Sequence, residues 1–261
     1  MCAGCGGLEA LHQIYDILGG RSVFVNAAGC MTLLAVYPFT PFRGSWLYTA
    51  MASAPAGAQG IRDALDILIE QGRLPPREDL QVVVLTGDGS AYGMGMSATS
   101  GAMDRDLDFI YICYDNEGYG NTGQQYSGAT PHAARTATSR MGSGFRGDKK
   151  DLFDIWVAHR PAYAATVIGA EPLDLARKVE RAMAIKGPKL ILALAPCPTG
   201  WDFDPKLTVD IGRLGAGFTA GGRDQLVQAV DQVRLHGRRR APSGGRLDRR
   251  EILLGRRVIS R

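Results

Sequence analysis

The chain has 261 residues, 45% hydrophobic and 21% charged, the proportions of a folded domain with a full core. No run approaches the ~18 uninterrupted apolar residues of a membrane span, and Met1-Cys2-Ala3-Gly4-Cys5 lacks the basic-then-apolar order of a secretory signal, so a cytoplasmic protein is expected. The formal charge of +4 is unevenly spread: residues 215–261 hold eleven Arg, no Lys and four acids, a net +7, which leaves −3 on residues 1–214.

In chain order, a β-branched run at 22–27 leads into Asn26-Ala27-Ala28-Gly29-Cys30. Residues 54–71 have helical periodicity up to the Pro75-Pro76 stop. A Val-rich strand at 82–86 runs into Gly87-Asp88-Gly89-Ser90, and an Ala/Met/Gly helix is expected over 93–103. A strand at 109–114 ends at Asp115-Asn116. Residues 121–150 have little periodicity and read as a long loop serving a site or a partner. A strand at 164–168, a helix at 172–185 with Leu173, Ala176, Val179 and Met183 on one face, and a strand at 190–195 follow. Short strands alternating with helices predict an α/β fold, a mostly parallel sheet with helices on both faces and right-handed crossovers.

Asp88 and Asn116 lie 28 positions apart, one strand–helix–strand unit. Such a unit brings two strand ends to the same sheet edge, where open α/β sheets bind ligands. A carboxylate from Asp88, an amide oxygen from Asn116 and the Gly118 carbonyl suit Mg²⁺, which takes oxygen ligands and fills its octahedron with phosphate and water. Gly87 and Gly89 would let backbone approach a diphosphate, the helix opening near Ser90 would offer amide N–H groups, and Asn121 and Thr122 would add donors. Alone, Gly-Asp-Gly is more often a tight turn; the paired spacing carries the signal.

In a reducing compartment five cysteines point away from structural disulfides and toward metal or redox chemistry. Cys2-x-x-Cys5, Cys30 and Cys197 give four thiols from separate chain ends, the number a [4Fe–4S] cluster requires, although zinc also accepts four thiolates. Cys113, inside a strand, reads as a small buried hydrophobe.

Cys-Ala-Gly-Cys-Gly at the start, Gly29-Cys30, Gly87-Asp88-Gly89, Asp-Asn-Glu-Gly-Tyr-Gly-Asn-Thr-Gly at 115–123, Ala-Thr-Pro at 129–131 and Pro-Cys-Pro-Thr-Gly-Trp at 196–201 occur in order. Over about residues 2–214 the chain resembles the β subunit of pyruvate and related 2-oxoacid:ferredoxin oxidoreductases. The resemblance implies a thiamine-diphosphate-binding fold and oxidative decarboxylation of a 2-oxoacid, pyruvate foremost, to acyl-coenzyme A and CO₂, with electrons leaving through the cluster to ferredoxin. It implies Cys2, Cys5, Cys30 and Cys197 on a [4Fe–4S] cluster and Asp88, Asn116 and Gly118 on Mg²⁺. The residues beside thiamine diphosphate are then Ala28, Gly29, Cys30, Met31, Gly87, Asp88, Gly89, Ser90, Asn116, Gly120, Asn121 and Thr122. The resemblance also places the activating glutamate on an α subunit with a pyrimidine-binding domain, so that the chain acts only with partners, including γ and ferredoxin-like δ subunits.

The sequence departs from the family at both ends. Cys2 directly follows Met1, as a truncated start would leave it, and after Gly212-Arg213-Leu214 the expected helix and aromatic-bearing segment give way to Arg-rich text. Residues 215–261 are therefore read as a tail outside the binding domain at 1–214, its composition that of a frameshift in a GC-rich gene or of a chain without a core. Nucleic acid is a poor partner for it, because the arginines lack interleaved aromatics. Of the histidines, His12 and His159 fall on expected helices, His236 in the tail, and His132 in the 121–150 loop, where Arg135, Arg140 and Arg146 read as solvated charges able to draw in anions. Competing readings are a non-oxidative thiamine-diphosphate decarboxylase or carboligase with incidental or zinc-binding cysteines, and an inactive structural subunit.

Overall fold

The computed structural model describes residues 2–36, 38, 40–139 and 144–221, with residues 77 and 217–221 described for their backbone alone. Arg140, His236 and the Arg-rich segment from 222 onward, to which several of the expectations above refer, lie outside the described residues.

Among the described residues six strands, β1 (Ser22–Ala27), β2 (Ser45–Thr49), β3 (Gln81–Gly87), β4 (Phe109–Asp115), β5 (Tyr163–Ile168) and β6 (Pro188–Leu194), form one sheet in the order β2-β1-β3-β4-β6-β5. Every pairing is parallel. Strands covered on both faces need apolar residues at every position, and β1, β4, β5 and β6 are buried throughout.

The sheet divides its side chains between two cores by simple alternation. Phe24, Val83, Leu85, Ile110, Ile112 and Ile191 face helices α1 (Gly6–Leu18) and α5 (Pro172–Met183). Val25, Val82, Val84, Tyr111, Cys113 and Leu192 face α2 (Ala54–Glu70), α3 (Met96–Asp104) and α4 (Leu152–Ala158). Cys113 is wholly buried, as expected of a small core residue.

Helix α1 buries Ala10, Leu11, Ile14 and Leu18, a stripe at helical spacing, and stops at Gly19, whose φ of 68° lies in the left-handed region. Truncating Ile14 to Ala would cost about 2–5 kcal/mol. The start of α1 also shapes the site, because its N-cap is a cysteine: Cys5 Sγ accepts from the Leu8 N–H at 3.4 Å.

The sequence missed β2. It is short and lies at the sheet edge, with Ser45, Leu47 and Tyr48 exposed, so it lacks the buried run by which the other strands announce themselves. The helix expected over 93–103 is a π-helical turn, Ser90–Met94, followed by α3. After α6 (Pro198–Trp201), the last described helix, α7 (Thr208–Gly221), continues through position 214. Among the described residues no helix is long and apolar enough to cross a membrane.

Candidate functional site

In this strand order the chain leaves β1 toward β2 on one side and leaves β3 toward β4 on the other. Neighbouring strands whose exits diverge open a crevice at their carboxyl ends. The crevice is lined by Ala28, Gly29 and Cys30 after β1, Gly87, Asp88 and Gly89 after β3, and Asn116, Gly118, Gly120, Asn121 and Thr122 after β4. Of the residues expected beside the cofactor, Ser90 and Met31 do not line it. Ser90 is fully buried and its hydroxyl donates to the Met51 carbonyl, while Met31, 1% exposed, faces the neighbouring cavity.

Asp88 and Asn116 meet. The end of the Asn116 amide that stands 2.7 Å from Asp88 Oδ1 and 2.8 Å from the Gly118 carbonyl is best satisfied as the nitrogen, donating to both; a half-turn brings the amide oxygen there and completes a set of three oxygens. An oxygen triad of this kind is the donor set of a hard cation. Asp88 is 1% exposed, and Ser127 donates to its other oxygen. Burial, reinforced by the Asp115 carboxylate, pushes the Asp88 carboxyl well above the usual range against the opposing Ser127 hydrogen bond, so the ionised form calls for a cation. The residues present therefore fit Mg²⁺.

The glycines of the crevice answer first to aromatic neighbours. A Cβ at Gly89 would lie 2.1 Å from Tyr119 Cε1, and one at Gly29 would lie 2.5 Å from Tyr114 Oη. Gly89 is already helical at φ −57° and ψ −36°, so a helical start faces the crevice as expected.

A second cavity adjoins the first, lined by Cys2, Cys5, Cys30 and Cys197 together with Gly7, Met31, Pro196 and Thr199. Four chain segments build it, the fourth being the loop after β4 that also lines the crevice. The Gly6 N–H donates to the Pro196 carbonyl at 3.0 Å, and Thr208 Oγ1 donates to the Gly4 carbonyl at 2.6 Å, which docks the 2–6 turn against the loop after β6. Gly4 has a φ of 65°, and a Cβ there would strike the Pro205 carbonyl at 2.4 Å. Thr199 Oγ1 lies 3.5 Å from Cys197 Sγ and 3.9 Å from Cys2 Sγ. Burial pushes the Cys30 thiol up to about 11, and the charges of Cys5, Cys197 and Cys2 add to it, so the four sulfurs feel one another. Among the described residues, no three Cys, His, Asp or Glu side chains converge tightly enough for a single metal ion. Four thiols around one cavity are the number that either a [4Fe–4S] cluster or a zinc ion takes.

Sequence reasoning overlooked Met51, Tyr114 and Tyr119, which line the crevice, and Ser127, Lys149 and Trp201, which support it. Tyr119 stood inside the Gly-Tyr-Gly motif, Tyr114 directly before Asp115-Asn116 and Trp201 at the end of Pro-Cys-Pro-Thr-Gly-Trp; Met51, Ser127 and Lys149 come from distant segments and leave no local mark. His132 pairs with Asp148 at 3.8 Å on an exposed part of the loop and touches neither cavity.

Residues 27–193 match the family described as thiamine pyrophosphate enzyme, C-terminal TPP binding domain. The pyruvate synthase subunit PorB of Methanocaldococcus jannaschii is 42% identical over 217 residues, 82% of this chain and 73% of that protein. The PorB of Thermotoga maritima is 33% identical over 82% of this chain and 68% of its own length. The ketoisovalerate oxidoreductase subunit VorB of Pyrococcus abyssi is 37% identical over 82% of this chain and 69% of its own length. In a solved structure of 2-oxoglutarate:ferredoxin oxidoreductase from Magnetococcus marinus, one chain superimposes with a TM-score of 0.65 at 23% identity, covering 78% of this chain and 65% of that one, a likeness of fold.

Proposed function

We infer the function from the family, for the chain belongs to the thiamine pyrophosphate enzymes and, among them, to the PorB/VorB subunits of 2-oxoacid:ferredoxin oxidoreductases. It is the thiamine-diphosphate-binding subunit of an oxidoreductase, and we propose pyruvate as the oxoacid, coenzyme A as the acyl acceptor and a [4Fe–4S] cluster as the first electron acceptor.

One observation carries this reading: the cofactor crevice and the thiol cavity share a wall, and Cys30, Tyr114, Asn116, Gly120 and Asn121 line both. A non-oxidative carboligase has no use for four thiols against its cofactor. Bound thiamine diphosphate supplies the carbanion chemistry that decarboxylation requires. The chain's own residues supply the rest: Asp88, Asn116 and the Gly118 carbonyl hold Mg²⁺ for the diphosphate, the loops after β1 and β3 seat the cofactor, and Cys2, Cys5, Cys30 and Cys197 hold the cluster across the shared wall.

The binding domain spans the 1–214 read from the sequence, and α7, which runs from Thr208 to Gly221 and packs Ala216 against Ile168 and Leu194, carries it past that boundary. The activating glutamate comes from an α subunit with a pyrimidine-binding domain, and γ and ferredoxin-like δ subunits complete the cytoplasmic assembly. Co-expression with those partners and a panel of oxoacids, following viologen reduction with coenzyme A present, tests the proposal. Pyruvate is expected to give the highest rate, with the isolated chain inactive; no reduction with any oxoacid, despite bound cofactor and cluster, would overturn it.

A further inference from the structure

The turn that carries Asn116 and Gly118 does not hold its shape by itself. Glu117, between them, has a φ of 63°, in the left-handed region that a residue with a side chain enters only when its surroundings require it. Asp115, on the other side of Asn116, is fully buried at the end of β4.

Both neighbours of Asn116 are gripped by one ammonium group from a distant loop. Lys149 Nζ lies 3.1 Å from Asp115 Oδ2 and 3.0 Å from Glu117 Oε1, and its side chain is only 16% exposed. The remaining contacts act in the same sense. Asp115 Oδ1 accepts the Glu117 N–H at 3.0 Å, Tyr92 donates its hydroxyl to Asp115 Oδ2 at 2.6 Å, and Thr130 Oγ1 donates to the Glu117 carbonyl at 2.7 Å. Lys149 is the one cation in this set, and neighbouring Lys150 is committed elsewhere, to the Tyr92 carbonyl at 2.8 Å.

We propose that Lys149 is a positioning residue for the metal turn: by tying Asp115 to Glu117 it fixes the direction of the Asn116 side-chain oxygen and the Gly118 carbonyl. Mg²⁺ demands near-ideal octahedral geometry, whereas Ca²⁺ accepts irregular and expanded shells. A turn set by Lys149 therefore matters more for Mg²⁺ than for Ca²⁺. Two carboxylates around one ammonium leave a net negative charge beside Asp88, which also favours a divalent cation, but charge alone would not discriminate between two cations of equal charge.

The inference rests on the reading of Asp88, Asn116 and Gly118 as Mg²⁺ ligands, and its test separates the two. Thiamine diphosphate binding to the full chain, purified with its co-expressed partners, is titrated calorimetrically at graded Mg²⁺ and, separately, graded Ca²⁺. Lys149→Met is expected to raise the half-saturating Mg²⁺ roughly 10- to 100-fold, as loss of an outer-shell partner does, and to change the Ca²⁺ requirement much less. Lys149→Arg should recover most of the loss. Lys149→Met combined with Glu117→Gln restores the charge balance and so keeps the fold, but should not recover Mg²⁺ binding. Equal losses for both cations, or full recovery in the double variant, would reduce Lys149 to a charge-neutralising role and overturn the proposal. If Asn116→Ala itself leaves the Mg²⁺ requirement unchanged, the ligand assignment fails instead.

Discussion

Trp201 donates its indole N–H to the backbone carbonyl of Asn116 at 3.0 Å. Trp201 closes the short helix that begins after Cys197, and its own N–H returns to the Cys197 carbonyl at 2.8 Å. Asn116, a proposed metal ligand, and the loop that carries Cys197, a proposed cluster thiol, are thus joined by two hydrogen bonds. Gln124 packs into the same junction, touching the space beside both Gly118 and Gly200. The two sites share scaffolding while keeping separate ligands.

Separate ligands predict separable losses. Asp88→Ala should abolish Mg²⁺-dependent thiamine diphosphate binding and leave the iron and sulfide content and the visible absorption intact; Cys197→Ser should do the reverse. Cofactor affinity in Asp88→Ala equal to that of the parent would show that the oxygen triad binds no metal.

The demand for glycine at position 89 has two possible sources, close approach of a ligand or close approach of Tyr119, and the 2.1 Å clearance to the Tyr119 ring favours the second. Gly89→Ala should weaken cofactor binding by overpacking, a penalty of about 1–3 kcal/mol. Adding Tyr119→Ala should recover part of that loss. A double variant as weak as Gly89→Ala would mean that the methyl group obstructs the cofactor itself.

Burial and neighbouring sulfurs hold the Cys30 thiol at about 11 in the iron-free protein. The protonated form is the one the fold favours, so this contribution to stability is present at neutral pH and is lost as the pH climbs from the ordinary thiol range through 11. Acidification leaves it untouched. Alkylation of Cys30 at pH 8 should be slow beside that of a free thiol and should accelerate about tenfold per pH unit up to 11. Mass-spectrometric mapping of the labelled peptide follows it; rapid labelling at pH 8 would contradict the buried environment.

Much of this architecture is written locally. Strands β1 and β3 to β6 appear as β-branched runs because a sheet covered on both faces requires them, and the spacing from Asp88 to Asn116 follows from one strand–helix–strand unit. The pairing of Lys149 with Asp115 and Glu117 leaves no such trace, since it depends on how a long loop folds back over the strand ends. The left-handed backbone at Glu117 is likewise hidden, because a glutamate there gives no hint of it. Strand β2 escapes for the opposite reason: unlike β5, the fully buried strand at the other edge, it is left largely uncovered, and its Trp-Leu-Tyr run follows a stretch broken by Pro38 and Pro41.

Strand β6 enters the sheet between β4 and β5, so β5 has no partner until the chain has been synthesised past position 194. Cys197 emerges directly behind that last strand, which makes the fourth sulfur the latest to arrive on the ribosome and ties its arrival to completion of the sheet. With the four thiols as the proposed cluster ligands, a nascent chain would offer iron no complete binding place before the sheet is finished, and metal delivery would follow translation of the domain.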